Sequence, residues 1–298
     1  MRAALLSFLF AAACAAPPPA AGHASAPPAA SAAAPVVSAL ACDGHAEQGG
    51  FLVCRTPPGA RIFVDGAEMT RADDGGYAVV GFDRDAKAQA RIEARAENGD
   101  LIGAYDPAIA PQSYVVQRVD GLPQDTVTPR DPALLARIAR ERKAKDVGFA
   151  SRAALRGFAE AWIWPLDGRI SGPWGNQRVL NGVPASPHMG LDIAAPVGTP
   201  IRAPAGGVVT LAEPDMHYEG GLVFIDHGQG LISMYLHMSR VDVKAGDRVT
   251  QGQVLGAVGA KGRATGPHLC WRLKWRDRAL DPGLVPVAPM AQAAARVP

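Results

Sequence analysis

From Trp164 to Asp215 the chain never runs more than six residues without a glycine or proline: WPLDGRISGPWGNQRVLNGVPASPHMGLDIAAPVGTPIRAPAGGVVTLAEPD. A helix needs a longer uninterrupted run to outweigh its nucleation cost, and proline inside one removes a hydrogen bond and adds a clash. The stretch is therefore a succession of short extended pieces. Three further runs, Gly221 to His227, Leu231 to His237 and His268 to Trp275, are apolar or alternating over seven or eight residues, with the turns HGQG and KGRATGP between them. Runs of that length bounded by such turns predict an antiparallel sheet.

The polar residues on these pieces are spaced to meet. In extended backbone, residues an even number apart share a face, so His188 and Asp192 point the same way, with Gly190 leaving room between them. His268 and Cys270 are likewise two apart. Along Leu231 to His237, Ser233, Tyr235 and His237 alternate with Ile232, Met234 and Leu236, which predicts a site face carrying the first three and a core face carrying the others. Three strands could thus present two imidazoles, a carboxylate and a thiol, with His237 beside them, to one groove. Zinc accepts all three donor types, and three protein ligands with one open position is its catalytic arrangement. For His217 and His227 the expectation is structural or solvated.

The region from about Trp164 to Pro286 resembles the LytM or lysostaphin-type zinc metallopeptidases, the M23 peptidase family. The matching pieces are PHMGLDIAAPVGTPIRAPAGGVV, the YLH segment, and VKAGDRVTQGQVLGAVGAKGRATGPHL with the strand that follows. The resemblance covers roughly 40% of the chain. It implies an antiparallel sheet flooring a narrow groove, zinc as cofactor, and cleavage of peptide bonds in bacterial cell-wall peptidoglycan. His188 and Asp192 match the first two metal ligands of the HxxxD motif. Of the family's HxH motif, His268 stands at the first position and works on the water or the transition state together with His237. At the second position, a metal ligand in the family, this sequence has Cys270. A His188, Asp192 and Cys270 site is chemically reasonable for zinc, although thiolate and carboxylate together neutralise both its charges and should weaken it as a Lewis acid.

Three functions follow: a zinc endopeptidase acting on peptidoglycan peptides, a catalytically degenerate domain that binds peptidoglycan or regulates another wall hydrolase, and a thiol enzyme using Cys270 with His268 or His237. A net charge of +2, with 30 basic and 28 acidic residues scattered, excludes the basic stripe that nucleic acid requires.

The N-terminus carries an export signal: Arg2, an apolar run Ala3 to Ala13, then small residues. Residues 1–22 read as signal peptide and 23–40, rich in Ala, Pro and Ser, as a disordered tether. Two processing readings compete, ordinary cleavage at Ala13-Cys14-Ala15 and a lipoprotein box that would put a lipid anchor on Cys14. No other run is long enough to span a bilayer, so the mature chain is expected in the periplasm or cell envelope, without a transmembrane helix. In that compartment Cys42 and Cys54, which flank a glycine-containing loop, can close as a disulfide, leaving Cys270 as the odd thiol.

Between tether and groove, residues 41–120 read as a small β-sandwich-like domain. Its strands are Phe51 to Cys54, Arg61 to Val64, Tyr77 to Phe82, Arg91 to Ala96 and Tyr114 to Val119, separated by turn-forming segments. Its segment TPPGARIFVDG resembles the opening of small bacterial surface β-domains, and a spacer or wall-contacting role is the expectation. Neither His23 nor His45 belongs to a titratable cluster. Residues 121–161 form a linker and a helix, with Asp131 as N-cap and Pro132 at the first helical position. Its stripe is Leu134, Leu135 and Ile138, its basic residues form a solvated face, and Ser151 to Ala161 is expected to be helical too. Residues 162–286 are the peptidase-like domain and 287–298 a disordered tail. The fold class expected is mainly β.

Overall fold

The structure is a computed structural model that describes residues 39–286. The signal peptide with Cys14, nearly all of the tether with His23, and the C-terminal tail lie outside the described residues. Among the described residues no helix is long and apolar enough to cross a membrane.

The chain is mainly β, as its glycine and proline punctuation requires. The first strands form a three-stranded sheet (Ala41–Gly44, Phe51–Arg55, Tyr77–Gly81) and a four-stranded sheet (Ala67–Arg71, Arg61–Val64, Ile92–Arg95, Leu101–Tyr105). Cys42 and Cys54 face one another across neighbouring antiparallel strands and form a disulfide. In the four-stranded sheet the VDGA segment is a tight hairpin. Asp65 and Gly66 both take positive φ (50° and 83°), the backbone that matches strand twist and that Asp-Gly adopts readily. The last expected strand does not join these sheets. It begins at Val116 and runs parallel to Gln177–Leu180.

The helix Pro132–Phe149 starts where expected. The Asp131 carboxylate accepts from the backbone amides of Ala133 and Leu134. Its expected stripe is only partly covered: Leu134 and Ile138 are half-buried, and Leu135 is 45% exposed. The ion pairs Arg137–Asp215 and Lys145–Glu219 hold this helix to the long strand Gly207–Met216 and the turn beyond it, and Ala144 and Phe149 pack against the cluster of Leu211, Leu222 and Phe224. The expected helix over residues 151–161 is a single 3-10 turn, Gly157–Ala159. Its groups are committed elsewhere: Phe158 N–H, which a helix would have used, donates to the His227 carbonyl, and Ala153 N–H and the Ser151 hydroxyl donate to the Asp226 carboxylate. Competition of this kind from side chains and neighbouring segments defeats local helix propensity.

Apart from the small sheet that Gln177–Leu180 forms with Val116–Val119 and Val183–Ala185, the remainder is a ten-stranded sheet. Along its main path, Arg248–Val249, Gly207–Met216, Gly220–Asp226, Leu231–Val241, His268–Trp275, Leu191–Ala194 and Arg169–Gly172 are successive neighbours. The buried side chains of this sheet are continuous with those of the N-terminal sheets, in one cluster running from Phe51 and Ile62 to Trp162, Trp271 and Leu280. The Phe51 and Trp162 rings lie 6.5 Å apart. Gln229 adds polar links, accepting from Thr70 O–H and Val79 N–H and donating to the Tyr77 carbonyl.

Candidate metal centre

Register places the site. Asp192 pairs with Cys270 and Ala194 with His268 across one pair of strands, while Leu236 pairs with Cys270 across the next. Directly opposed residues in an antiparallel ladder project to the same face. Asp192, Cys270, His268 and Leu236 therefore share one side of the sheet. The alternation along Leu231–His237 accordingly runs opposite to expectation: Leu236 is on the site face, and Ser233 and Tyr235 are on the other. Ser233, Tyr235 and His227 form a buried hydrogen-bonded chain there, with 2.7 Å links from Ser233 Oγ to both His227 Nε2 and Tyr235 Oη. His227 is thus structural, as expected.

His237 still reaches the site because the strand breaks its period at that residue. It adopts φ 66°, and the ladder to the neighbouring strand shifts register between Val223 and Gly221, opposite this position. A non-glycine residue in the left-handed region costs on the order of 1 kcal/mol or more, and such outliers cluster at functional sites. The ring of His237 lies 4.7 Å from that of His268.

His188, Asp192 and Cys270 are all buried, and one donor atom from each lies within 4.8 Å of the others. His188 Nε2 is 3.1 Å from Asp192 Oδ1 and 3.4 Å from Cys270 Sγ. A tetrahedral zinc centre with N and O donors at about 2.0–2.2 Å and sulfur at about 2.3 Å spaces its donors about 3.3–3.7 Å apart. The three residues fit that arrangement. His188 Nδ1 is directed at the Pro173 carbonyl at 3.4 Å, which leaves Nε2 as the lone-pair nitrogen. Asp192 Oδ1 is buried with no hydrogen-bond partner. Either a proton on Nε2 or a metal cation between Nε2 and Oδ1, 3.1 Å apart and away from water, satisfies both atoms.

The electrostatics agree. Burial alone would raise the Asp192 carboxyl, but His188, His268 and Arg178 around it hold it well below the usual carboxylate range. One Arg178 guanidinium nitrogen donates to Asp192 Oδ2 at 2.8 Å, so Oδ1 remains the free oxygen. Burial, helped by the Asp192 charge, pushes the Cys270 thiol up to about 12. Burial also lowers His188, and it lowers His237 to about 3 with the adjoining His268 contributing, so both rings stay neutral at physiological pH. Two carbonyls fix the catalytic-candidate tautomers: His237 Nδ1 meets Lys261 O and His268 Nδ1 meets Gly266 O, each at 2.8 Å. His217 stays apart, its Nε2 against the Asp125 carbonyl.

Sequence reasoning missed Arg178, Arg263 and Arg272. Arg272 carried a signal, since it continues the two-residue period of His268 and Cys270. Its Nε lies 3.5 Å from Cys270 Sγ. Arg178 and Arg263 come from a short strand and a turn whose placement no local pattern reveals.

Residues 186–282 match peptidase family M23. Among curated proteins, the chain is 42% identical over 96 residues to peptidoglycan DD-endopeptidase ShyA of Vibrio cholerae, covering 32% of this chain and 22% of that one. It is 45% identical over 107 residues to ShyC of the same organism, covering 35% and 24%. The chain thus spans about a quarter or less of those relatives' lengths. A crystal structure of a Pseudomonas aeruginosa protein assigned to peptidase M23 is 34% identical with a TM-score of 0.60, over 81% of this chain and 95% of that one. With that relative matched over nearly its whole length, this chain belongs to peptidase family M23.

Proposed function

We propose that the protein is an exported zinc-dependent endopeptidase that cleaves peptide bonds in cell-wall peptidoglycan, with His188, Asp192 and Cys270 holding the metal and His237 and His268 catalytic. The observation that carries this reading is that all three histidines direct Nδ1 at a backbone carbonyl, while His188 Nε2 faces Asp192 Oδ1 and Cys270 Sγ. The substrate class rests on the DD-endopeptidase names of the V. cholerae relatives. The Cys42–Cys54 disulfide suits an oxidising compartment outside the cytoplasm.

Zinc, when bound, supplies polarisation of the scissile carbonyl and acidification of a water. The chain's own residues do the rest. With Nδ1 donating to carbonyl oxygens, His237 and His268 each keep an unprotonated Nε2. One can take the proton of the attacking water and pass it to the leaving amine, and the other can accept a hydrogen bond from the water's second hydrogen and orient it for attack. Burial of His237 keeps its ring neutral, with Nε2 free of a proton.

One observation favours a second reading. The Cys270 thiol, 1% exposed and pushed up to about 12, holds its proton tightly, which would suit a domain that binds peptidoglycan without cutting it. The same burial argues against a thiol enzyme, whose nucleophile must be both accessible and ionised.

The deciding experiment measures zinc per chain by mass spectrometry and soluble fragments released from purified sacculi, for the wild type, Cys270→Ala and Cys270→His. We expect one zinc per chain, chelator-sensitive release, and loss of both in Cys270→Ala. The reading fails if the wild type holds no zinc and releases nothing while Cys270→His does both.

A further inference from the structure

Beside the candidate metal centre lies a cavity of about 260 Å³ lined by Arg178, Arg263, Arg272, Tyr218, Glu219 and His237, with Leu236 at its apolar side. We propose that this cavity is an anion subsite in which the three arginines bind a carboxylate of the peptide substrate. The proposal rests on the endopeptidase reading and adds to it what the enzyme recognises next to the bond it cuts.

Three guanidiniums crowd one half-buried pocket with little to balance them. Glu219 is already matched by Lys145 from the helix Pro132–Phe149. Arg178 spends one nitrogen on Asp192 Oδ2, and its Nε is buried without a hydrogen-bond partner. Among the described residues, the one hydrogen bond from the Arg272 side chain is its Nε contact with Cys270 Sγ, which leaves both terminal nitrogens uncommitted. Arg263 lies over the Tyr218 ring at 5.1 Å and reaches the Thr126 carbonyl at 3.4 Å, and among the described residues it has no carboxylate partner. Burial first, and then the charges of Arg272 and Arg178, pull the Arg263 guanidinium below its ordinary value. An incoming carboxylate would relieve that repulsion and satisfy the open donors at once. Planar guanidinium suits this task because it offers paired N–H groups to two oxygens.

Arg178 and Arg263 also line the adjoining part of the groove with Asp192 and His268, so the arginines form a wall shared by the cavity and the reacting centre. The carboxylate would therefore belong to a residue close to the scissile bond, either a peptide C-terminus or an acidic side chain.

The test uses an N-acetylated peptide carrying one free side-chain carboxylate and a free C-terminus, its side-chain amide and its C-terminal amide. Each is made with the scissile bond N-methylated to block cleavage and titrated calorimetrically into the full protein. One amide should bind at least about tenfold more weakly than the free acid, as expected for loss of a charge-assisted contact, and which one identifies the carboxylate. Arg263→Gln should bring the free acid down to that amide's affinity and leave the amide unchanged, and Arg263→Lys should recover part of the preference. Equal binding of all three peptides, binding of none, or equal weakening of all three by Arg263→Gln overturns the proposal. Hydrolysis of the unmethylated peptides is scored separately: turnover without charge preference sinks the arginine subsite alone, whereas charge-selective binding without turnover supports the subsite and sinks the endopeptidase reading.

Discussion

Gly190 sits between His188 and Asp192, and its replacement by alanine tests the geometry of the whole centre. A Cβ at this position would lie 2.7 Å from Cys270 Sγ, 2.8 Å from Arg272 Cγ and 3.2 Å from Arg272 Nε. Carbon and sulfur in ordinary contact stand about a further 1 Å apart, since even well-packed carbon pairs prefer about 3.5–4.0 Å. The backbone of Gly190 is not in the left-handed region, so the conflict is purely steric. Arg272 has rotatable bonds with which to retreat. Cys270 is 1% exposed and has little space to move. Overpacking of a rigid interior costs about 1–3 kcal/mol. For a folded region of this size that is a fall of roughly 2–10 °C in melting temperature. Moving Sγ also separates it from His188 Nε2, so metal affinity should fall with stability. Differential scanning calorimetry and a competitive zinc-chelator titration read the two effects. The double variant Gly190→Ala with Cys270→Ala removes the sulfur from the conflict and should recover at least about 1 kcal/mol of the stability lost in the single variant, a coupling typical of residues in contact. A single variant that melts with the wild type and binds zinc equally well would refute the placement of Cys270 against Gly190, and with it the three-donor centre.

Two other predictions concern the support behind the site. Burial holds His227 at about 4, below its usual 6.5. The unfolded chain therefore takes up a proton first as pH falls, and stability present above about 6.5 is lost progressively down to about 4, on the order of 3 kcal/mol. Urea denaturation at pH 7.5 and 4.5 should show this loss, and His227→Asn, less stable at neutral pH, should show a smaller acid loss; an identical pH dependence in both proteins would rule His227 out as the cause. Gln229→Ala removes three hydrogen bonds to the N-terminal sheets and should cost about 1–3 kcal/mol in the same assay without changing zinc content.

Much of the site was legible because the side-chain period of a strand is two. His188 with Asp192, and His268 with Cys270, needed only that rule, and glycine and proline spacing was enough for the mainly β fold. His237 shows where the rule stops. A single left-handed residue and a shifted register move it to the face of Leu236, while Ser233 and Tyr235 turn into the core. No local pattern reports a bulge, since it is set by how the strand pairs with its neighbours. The helix expected over residues 151–161 failed for a related reason, because the His227 carbonyl, distant in sequence, takes the Phe158 N–H that a helix would have used. The arginines came into view only when a turn, a short strand and the main sheet were brought together.

The strand His268–Trp275 begins at the candidate metal centre and ends under the N-terminal sheets. At its far end a Cβ on Gly81 would meet the side chains of Leu280 and Trp275 at 2.9 and 3.3 Å, and an Arg278 guanidinium nitrogen donates to the Gly81 carbonyl at 2.7 Å. A chimaera that kept residues 162–286 and exchanged what precedes them would have to refit that seam atom by atom. Its ancestry is therefore expected to be written in paired changes across the seam, at Gly81 with Leu280 and at Phe51 with Trp162, and not in the free shuffling that independent modules allow.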